Sequence, residues 1–389
     1  MSRLRALFAA TCLLIAGFVA PAATLAAQSP IVLKDVLGRE VTLAAPAQRV
    51  VLAQARHLPV LALIHPDPVS VLAGWSDELK SSFSSEYAEY LEAFPALARV
   101  PVVGRHTPDT FSVENTLAQR PDLVVLTAAF AGLRPGAAPQ ESAMLQRFAA
   151  AGVPVVIIDF FVDPLKNTVP SMRLLGRALG REEQAEQFIA FYEEHMARVA
   201  RAAGQRKERP PVLVHAHAGS TDCCNSPGSG TFNDMITFAG GHNIGADTIR
   251  ASTGQLSLEY INSRNPVVYV ATGTGAQRRT GSGLAIGTGV APDEARASLR
   301  RVIATQGLGA LPAVREGNAH AIWHAFNDSP LHVVFIEALA RWIDPAGNAD
   351  IDPARTLDEI NQRFLAVPMR GTFMIDLDEP GQRAGSAPG

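Results

Sequence analysis

The sequence predicts an α/β protein of two Rossmann-like lobes with mainly parallel sheets, joined by one long rigid α-helix. Three observations carry this. Short continuous Val/Ile/Leu runs alternate with helical stretches, the pattern of parallel strands covered on both faces. Between two such sets, Arg181 to Ala203 places Ala185, Phe188, Ile189, Tyr192, Met196 and Val199 at three- and four-residue steps, with nothing that breaks a helix. At about 1.5 Å rise per residue its ~23 residues span on the order of 34 Å, the width of a small domain. Finally, one helix-to-strand unit occurs twice, once on each side of that spine.

In chain order, Ile31 to Leu43 gives two apolar runs around Leu37-Gly38-Arg39, a hairpin at an edge. A strand at Arg49 to Ala53 leads through Gln54 to His57 into a helix opened by Pro59, since proline suits the first helical turn. Strands follow at Val69 to Ala73, Asp122 to Thr127 and Pro154 to Ile158. Beyond the spine and the basic link Gln205 to Pro211, strands are expected at Val212 to Ala216, Pro266 to Ala271 and Ala319 to Trp323. Helices lie at Phe232 to Ala239, opened by Thr231 and closed by Gly240-Gly241, and at Leu331 to Ile343, opened by Ser329-Pro330. A last helix, Pro353 to Leu365, has a Thr356-to-Glu359 capping box. These elements divide the chain into a leader (1–27), a first lobe (28–164), connecting helices with the spine (165–203), a second lobe (204–371) and a loose tail (372–389).

A chain of 389 residues, 47% hydrophobic and 18% charged, supports two cores. Arg3 and Arg5, the apolar stretch Ala6 to Ala20 and the small residues ending Leu25-Ala26-Ala27 form a cleavable export signal, so the mature protein is expected in the periplasm. Thr11 and Ala9 before Cys12 depart from a lipid-attachment box, and no later stretch is suited to cross a bilayer. With Arg3 and Arg5 removed from 34 basic residues, against 37 acidic, the mature formal charge is about −5, which argues against nucleic acid as a partner. Of three cysteines only the neighbours Cys223 and Cys224 remain, so there is no disulfide framework. They form a vicinal disulfide or stay as thiols.

The repeat pairs Phe111-Ser112-Val113-Glu114, Pro121 and the strand Leu123 to Leu126 with Leu256-Ser257-Leu258-Glu259, Pro266 and the strand Val267 to Val270. Each Ser is read as an N-cap, with Glu in the first turn, where its charge suits the helix dipole. In open α/β sheets ligands lie beyond the carboxyl ends of the strands. The loops there hold Arg56, His57, Trp75, Arg105, His106, Phe130, Phe160 and Phe161, then His217 to Ser226, Arg250 to Thr253 and His324 to Asp328. Cations, imidazoles and aromatics together suit a bulky, partly apolar ligand with negative charge or acceptors. Trp75 and the phenylalanines belong either to this surface or to the core, and Arg105 is alternatively a solvated group. Alternation along a strand would set His215 and His217 on one face, with Cys223 and Cys224 close behind, a conceivable zinc site without further ligand motifs. Thr272-Gly273-Thr274-Gly275 fails as a dinucleotide loop because Arg278 stands where the third glycine belongs.

Four stretches in order carry a family likeness: Asp35-Val36-Leu37-Gly38-Arg39 through Pro46 to Arg49-Val50-Val51, Glu114 through Pro121-Asp122-Leu123-Val124-Val125, Gly228 through Gly240-Gly241-His242-Asn243, and Glu259 through Pro266. Behind an export signal they resemble the solute-binding proteins of ABC importers for iron–siderophore, haem and cobalamin, the class III type with two lobes on one rigid helix. The second repeat has Pro266-Val267 where that family usually shows Pro-Asp.

The resemblance implies a monomeric receptor that clamps a metal chelate and hands it to an inner-membrane ABC permease, with Glu114 and Glu259 docking on permease arginines. It implies no catalytic residue, no resident cofactor and no metal ligated by the protein. Arg56, Arg105 and Arg250 would hold carboxylate or catecholate oxygens, His57, His106, His217 and His324 would add hydrogen bonds, and Trp75 would stack on the ligand beside Phe130. The loop with Cys223 and Cys224 looks like that of the iron-complex branch. A ferric siderophore is the expected ligand, haem or cobalamin its nearest rival. The rival from another class is an exported metal-dependent hydrolase using His215 and His217.

Overall fold

The computed structural model describes residues 29–378 except 106, 135 and 277–280; the expected leader and the last part of the tail lie outside them. The first sheet has five parallel strands in the order Val102–Gly104, Leu72–Ser76, Val50–Leu52, Leu123–Leu126, Val155–Ile157. Val50–Leu52, Leu123–Leu126 and Val155–Ile157 are buried along their whole length, which is why they read as unbroken apolar runs. The second sheet runs His242–Asn243, Pro211–His215, Val268–Gly273, Ala319–Trp323, Met374–Asp376, parallel but for the last strand. The hairpin, Ile31–Lys34 against Glu40–Leu43, forms a separate antiparallel pair. Asp35 anchors it by accepting the N–H groups of Leu37, Arg39 and Ile157.

The spine is a helix from Glu182 to Gly204. Its buried stripe holds the six expected apolar residues together with Phe191 and His195. It packs between the helices Pro164–Leu179 and His332–Ile343. Gly176 makes the first contact possible, because a Cβ there would stand 2.4 Å from the Cβ of Ala185. Against the second helix, Tyr192 Oη lies 2.7 Å from His332 Nε2 and His195 Nδ1 lies 2.7 Å from Glu337 Oε1. One apolar cluster continues from Val50 and Leu61 through Phe188 and Tyr192 to Val214 and Phe335, so both lobes and the spine share a core. Among the described residues no helix is long and apolar enough to cross a membrane.

Several boundaries differ from expectation for identifiable reasons. The strand expected at Val69 to Ala73 is Leu72–Ser76, because Asp67 draws the Ser70 N–H and hydroxyl into a turn. The last helix is capped by Asp352, which accepts from the N–H groups of Ala354 and Arg355, so Thr356 lies inside it and the expected capping box is absent. Thr231 is the first residue of its helix rather than the cap, which is Gly230. The chain past Gly371 is no loose tail up to residue 376. Phe373 is buried against Trp323 and Phe326, Gly371–Thr372 pairs with Gly287–Thr288, and Met374–Asp376 closes the second sheet.

Phe188 is fully buried and meets Phe364 edge-on at 5.3 Å. Phe188→Ala is expected to cost about 3–5 kcal/mol by urea denaturation; a loss below about 1 kcal/mol would show that the spine is not held by this core.

Candidate functional site

The carboxyl ends of the two sheets face each other. Arg56 lies in the short 3-10 turn Ala55–His57 just past Val50–Leu52, and Asp328 ends the turn His324–Asp328 just past Ala319–Trp323; the two form an ion pair across the gap. Glu78, at the first turn of Glu78–Ser82, accepts the Arg56 Nε–H at 2.8 Å and its backbone N–H at 3.2 Å and also pairs with Nη2. Burial opposes the charge on Arg56, yet Asp328 and Glu78 together push its pKa up. Burial raises the Asp328 carboxyl, and Arg56 works against that rise. A second link joins the lobes where the Thr231 hydroxyl donates to the Phe161 carbonyl.

Beside the Arg56 pair lies a narrow cavity that opens to solvent and encloses only about 60 Å³. Leu79, Phe83 and Tyr90 line it from the first lobe, Trp323 and Leu331 from the second, and Val367 and Met369 from the segment after the last helix. Its polar lining is mainly acidic, Glu86, Glu89 and Asp328, with Arg56 already paired. Burial raises Glu89, Arg370 opposes the rise, and Glu86 and Glu92 add to it. The Trp323 indole N–H is buried without a hydrogen-bond partner, packed against Gly287.

The second lobe contributes a histidine pair. The strand ends at His215, and His217 sits beyond it with φ of +49°. The two imidazoles therefore do not share a strand face, contrary to the alternation argument. His217 stacks on His324 with ring centres 3.7 Å apart, and Phe232 packs on His324 at 5.5 Å. Thr272 Oγ1 accepts the His217 N–H at 3.1 Å and lies 2.8 Å from His324 Nδ1. Burial lowers the pKa of both rings, and His217 and Arg56 lower His324 further. His215 is fully buried, held by Tyr269 Oη at 3.1 Å and lowered by burial to about 4. Cys223 and Cys224 form a vicinal disulfide, the first of the two alternatives.

The other expected site residues divide. Arg105 and Arg250 are exposed on loops. Trp75 is fully buried beside Tyr87, and Phe130 is buried against Phe111, so neither reaches a ligand; both belong to the core. His57 is buried edge-on to Phe160, and burial first and Arg56 second lower it to about 3. His106 lies outside the described residues. Cys224 is buried and Cys223 half-buried, with both sulfurs close to His215 rather than to the Arg56 cavity. Glu78 and the cavity wall from Phe83 to Tyr90 escaped the sequence reading, although an acid just past the strand carrying Trp75 was a usable signal.

Glu114 and Glu259 occupy matched places. Ser112 Oγ accepts the Asn115 N–H and Ser257 Oγ accepts the Tyr260 N–H, so each Ser caps its helix and each Glu stands exposed in the first turn. Each helix precedes a parallel strand and so begins at the carboxyl-end side of its sheet. Glu114 pairs with Arg147 on the neighbouring helix.

Comparison with known proteins adds to this geometry. The profile described as periplasmic binding protein matches residues 61–322, more than half of the chain. A cobalamin-binding protein of Halobacterium salinarum is 30% identical over 197 residues, 50% of this chain and 48% of its own length, so the chain spans about half the length of the curated relatives it matches. A TroA-like periplasmic binding protein, FepB, from Veillonella parvula superposes with a TM-score of 0.82 at 26% identity, covering 90% of this chain and all of that one. A molybdate periplasmic binding protein, MolA, of Haemophilus influenzae superposes with a TM-score of 0.61 at 17% identity, over 87% of this chain and 99% of that one, which shows the shared fold.

The buried histidines set a pH dependence. His57 is held at about 3 and His215 and His332 at about 4, so none takes up a proton where unfolded histidine does, below about 6.5. Their folded pKa values lie below the unfolded one, so stability is full above about pH 6.5 and is lost as pH falls toward 4. Each contributes a slope approaching about 1.4 kcal/mol per pH unit. Urea midpoints taken between pH 7.5 and 5 are expected to fall, with a smaller slope in His332→Gln; a flat profile would refute the neutral burial.

Proposed function

Because the chain belongs to the periplasmic binding protein family, we propose that it captures a bulky metal chelate between its lobes in the periplasm and delivers it to the permease of an ABC importer. The observation that carries this is the meeting of two sets of carboxyl-end loops over one inter-lobe cavity, with the spine fixing the gap. No bond needs to be made or broken there. The hydrolase alternative lacks its parts: His215 and His217 point apart, and the one cluster of three metal-competent side chains among the described residues has its cysteines joined.

Cobalamin is the ligand we put first, bound between lobes parted further than here, since the space now enclosed, about 60 Å³, holds no more than a few water molecules. The cavity wall is apolar and aromatic, and its arginine is neutralised. The name of the Halobacterium salinarum relative agrees with this reading. A ferric siderophore is the second reading, favoured by Arg105 and Arg250, both exposed on loops. Glu114 and Glu259 are the proposed permease contacts, since both are exposed carboxylates at equivalent positions of the two lobes.

Trp323 lines the cavity, so quenching of its fluorescence reports occupancy. Titration with cobalamin, haem and a ferric siderophore is expected to give saturable quenching with cobalamin, abolished in Trp323→Phe; saturation with none of the three would sink the receptor reading. Glu114→Lys with Glu259→Lys is expected to cut uptake at least tenfold while ligand affinity stays within twofold. Undiminished uptake in that double variant would rule out the docking role.

A further inference from the structure

We infer that the loop after the first strand of the second lobe is a redox-gated site for a soft, thiophilic cation such as monovalent copper, formed by His215, Cys223 and Cys224. One ring nitrogen of His215 and the two sulfurs all lie within 4.8 Å of one another. His215 is fully buried; its Nδ1 is engaged by Tyr269 Oη at 3.1 Å, while Nε2 is buried with no hydrogen-bond partner. An orphaned buried imidazole nitrogen is costly unless something occupies it in another state of the protein. Where Tyr269 Oη accepts from Nδ1–H, Nε2 carries the lone pair that a cation needs.

The frame around the site does not depend on the sulfur–sulfur bond. Cys224 exchanges two backbone hydrogen bonds with Leu256, at 3.0 and 2.9 Å, and Asn225–Pro227 pairs with Thr253–Gln255. Cys223 is half-buried and adjoins exposed Thr221 and Asp222, which gives a cation its way in. In the disulfide state the sulfurs are poor donors and the site is shut. A dithiol reductant opens it: the Cys223–Cys224 bond breaks, taking up two electrons and two protons, and the reductant becomes a disulfide. A cation then displaces both thiol protons and binds two thiolates and one imidazole. Two sulfurs and one nitrogen in a water-poor setting suit low-coordinate monovalent copper and offer no oxygen to calcium or magnesium. The site shares no residue with the Arg56 cavity, so it stands or falls independently of the ligand proposed there.

The mature protein, reduced with dithiothreitol and desalted without oxygen, is titrated with monovalent copper against a chromophoric copper chelator. Reduced protein is expected to withhold one equivalent from the chelator and the disulfide form none. Cys223→Ser and Cys224→Ser should each abolish retention, and His215→Gln should weaken it at least tenfold. Failure of reduced protein to compete would overturn the proposal, as would equal retention by the disulfide form or undiminished retention in His215→Gln. Because His215→Gln alters a buried residue, nitrogen NMR of wild-type histidines with silver(I) as a redox-inert probe provides a second reading. The His215 Nε2 resonance must move on binding, and an unmoved resonance overturns the three-ligand site.

Discussion

Everything in this protein depends on the burial of the spine between two helices. Glu182–Gly204 presents Phe188, Tyr192, His195 and Met196 to a core that runs unbroken from the first sheet to the second. A connection of this kind resists hinge motion, because parting the lobes widely would expose close-packed side chains rather than rotate a few loop dihedrals. The directional contacts add register to this apolar clamp. Tyr192 to His332 and His195 to Glu337 are buried polar contacts that favour one alignment of the spine with the helix His332–Ile343. The gap between the lobes is therefore set in the core, and the contacts that cross it, Arg56 to Asp328 and Thr231 to Phe161, only have to trim it.

The architecture was largely legible in the sequence because its signals are local or periodic. Parallel strands covered on both faces leave continuous Val/Ile/Leu runs, and the spine leaves a 3.6-residue stripe. The paired Ser caps at Ser112 and Ser257 were readable because a cap needs only its own first turn. Where two local signals competed, the reading slipped. Thr356 was read as the cap of the last helix, and Asp352 caps it instead with two accepted N–H groups. Phe373 illustrates a different limit: a single aromatic in a polar, Gly- and Pro-containing stretch carries no periodicity, yet its burial against Trp323 pins another strand to the sheet.

The site was far less legible, because topology places a residue at the carboxyl end of a strand without saying which way its side chain turns. Trp75, Phe130 and His57 all belong to the expected loops by position, and all three are turned into the lobe. His217 was expected beside His215, but one residue with positive φ swings it onto His324 instead. Asp328 and Arg56 are 272 residues apart in the chain, so no pattern along the sequence could pair them. The cavity wall from Phe83 to Tyr90 sits on a short helix whose apolar face looks unremarkable until the segment around Val367 folds over it.

The charge of the gap follows from the same pairing. Glu78 belongs to the same lobe as Arg56 and grips both its Nε–H and its backbone N–H, so the guanidinium is neutralised within its own lobe whatever the position of the other. Asp328 adds a second carboxylate from the other lobe. His57, His217 and His324 add no positive charge, because burial depresses all three. A residue list rich in Arg and His thus folds into a gap whose walls are apolar and weakly acidic around the cavity. Selection there falls to shape and dispersion against that apolar wall.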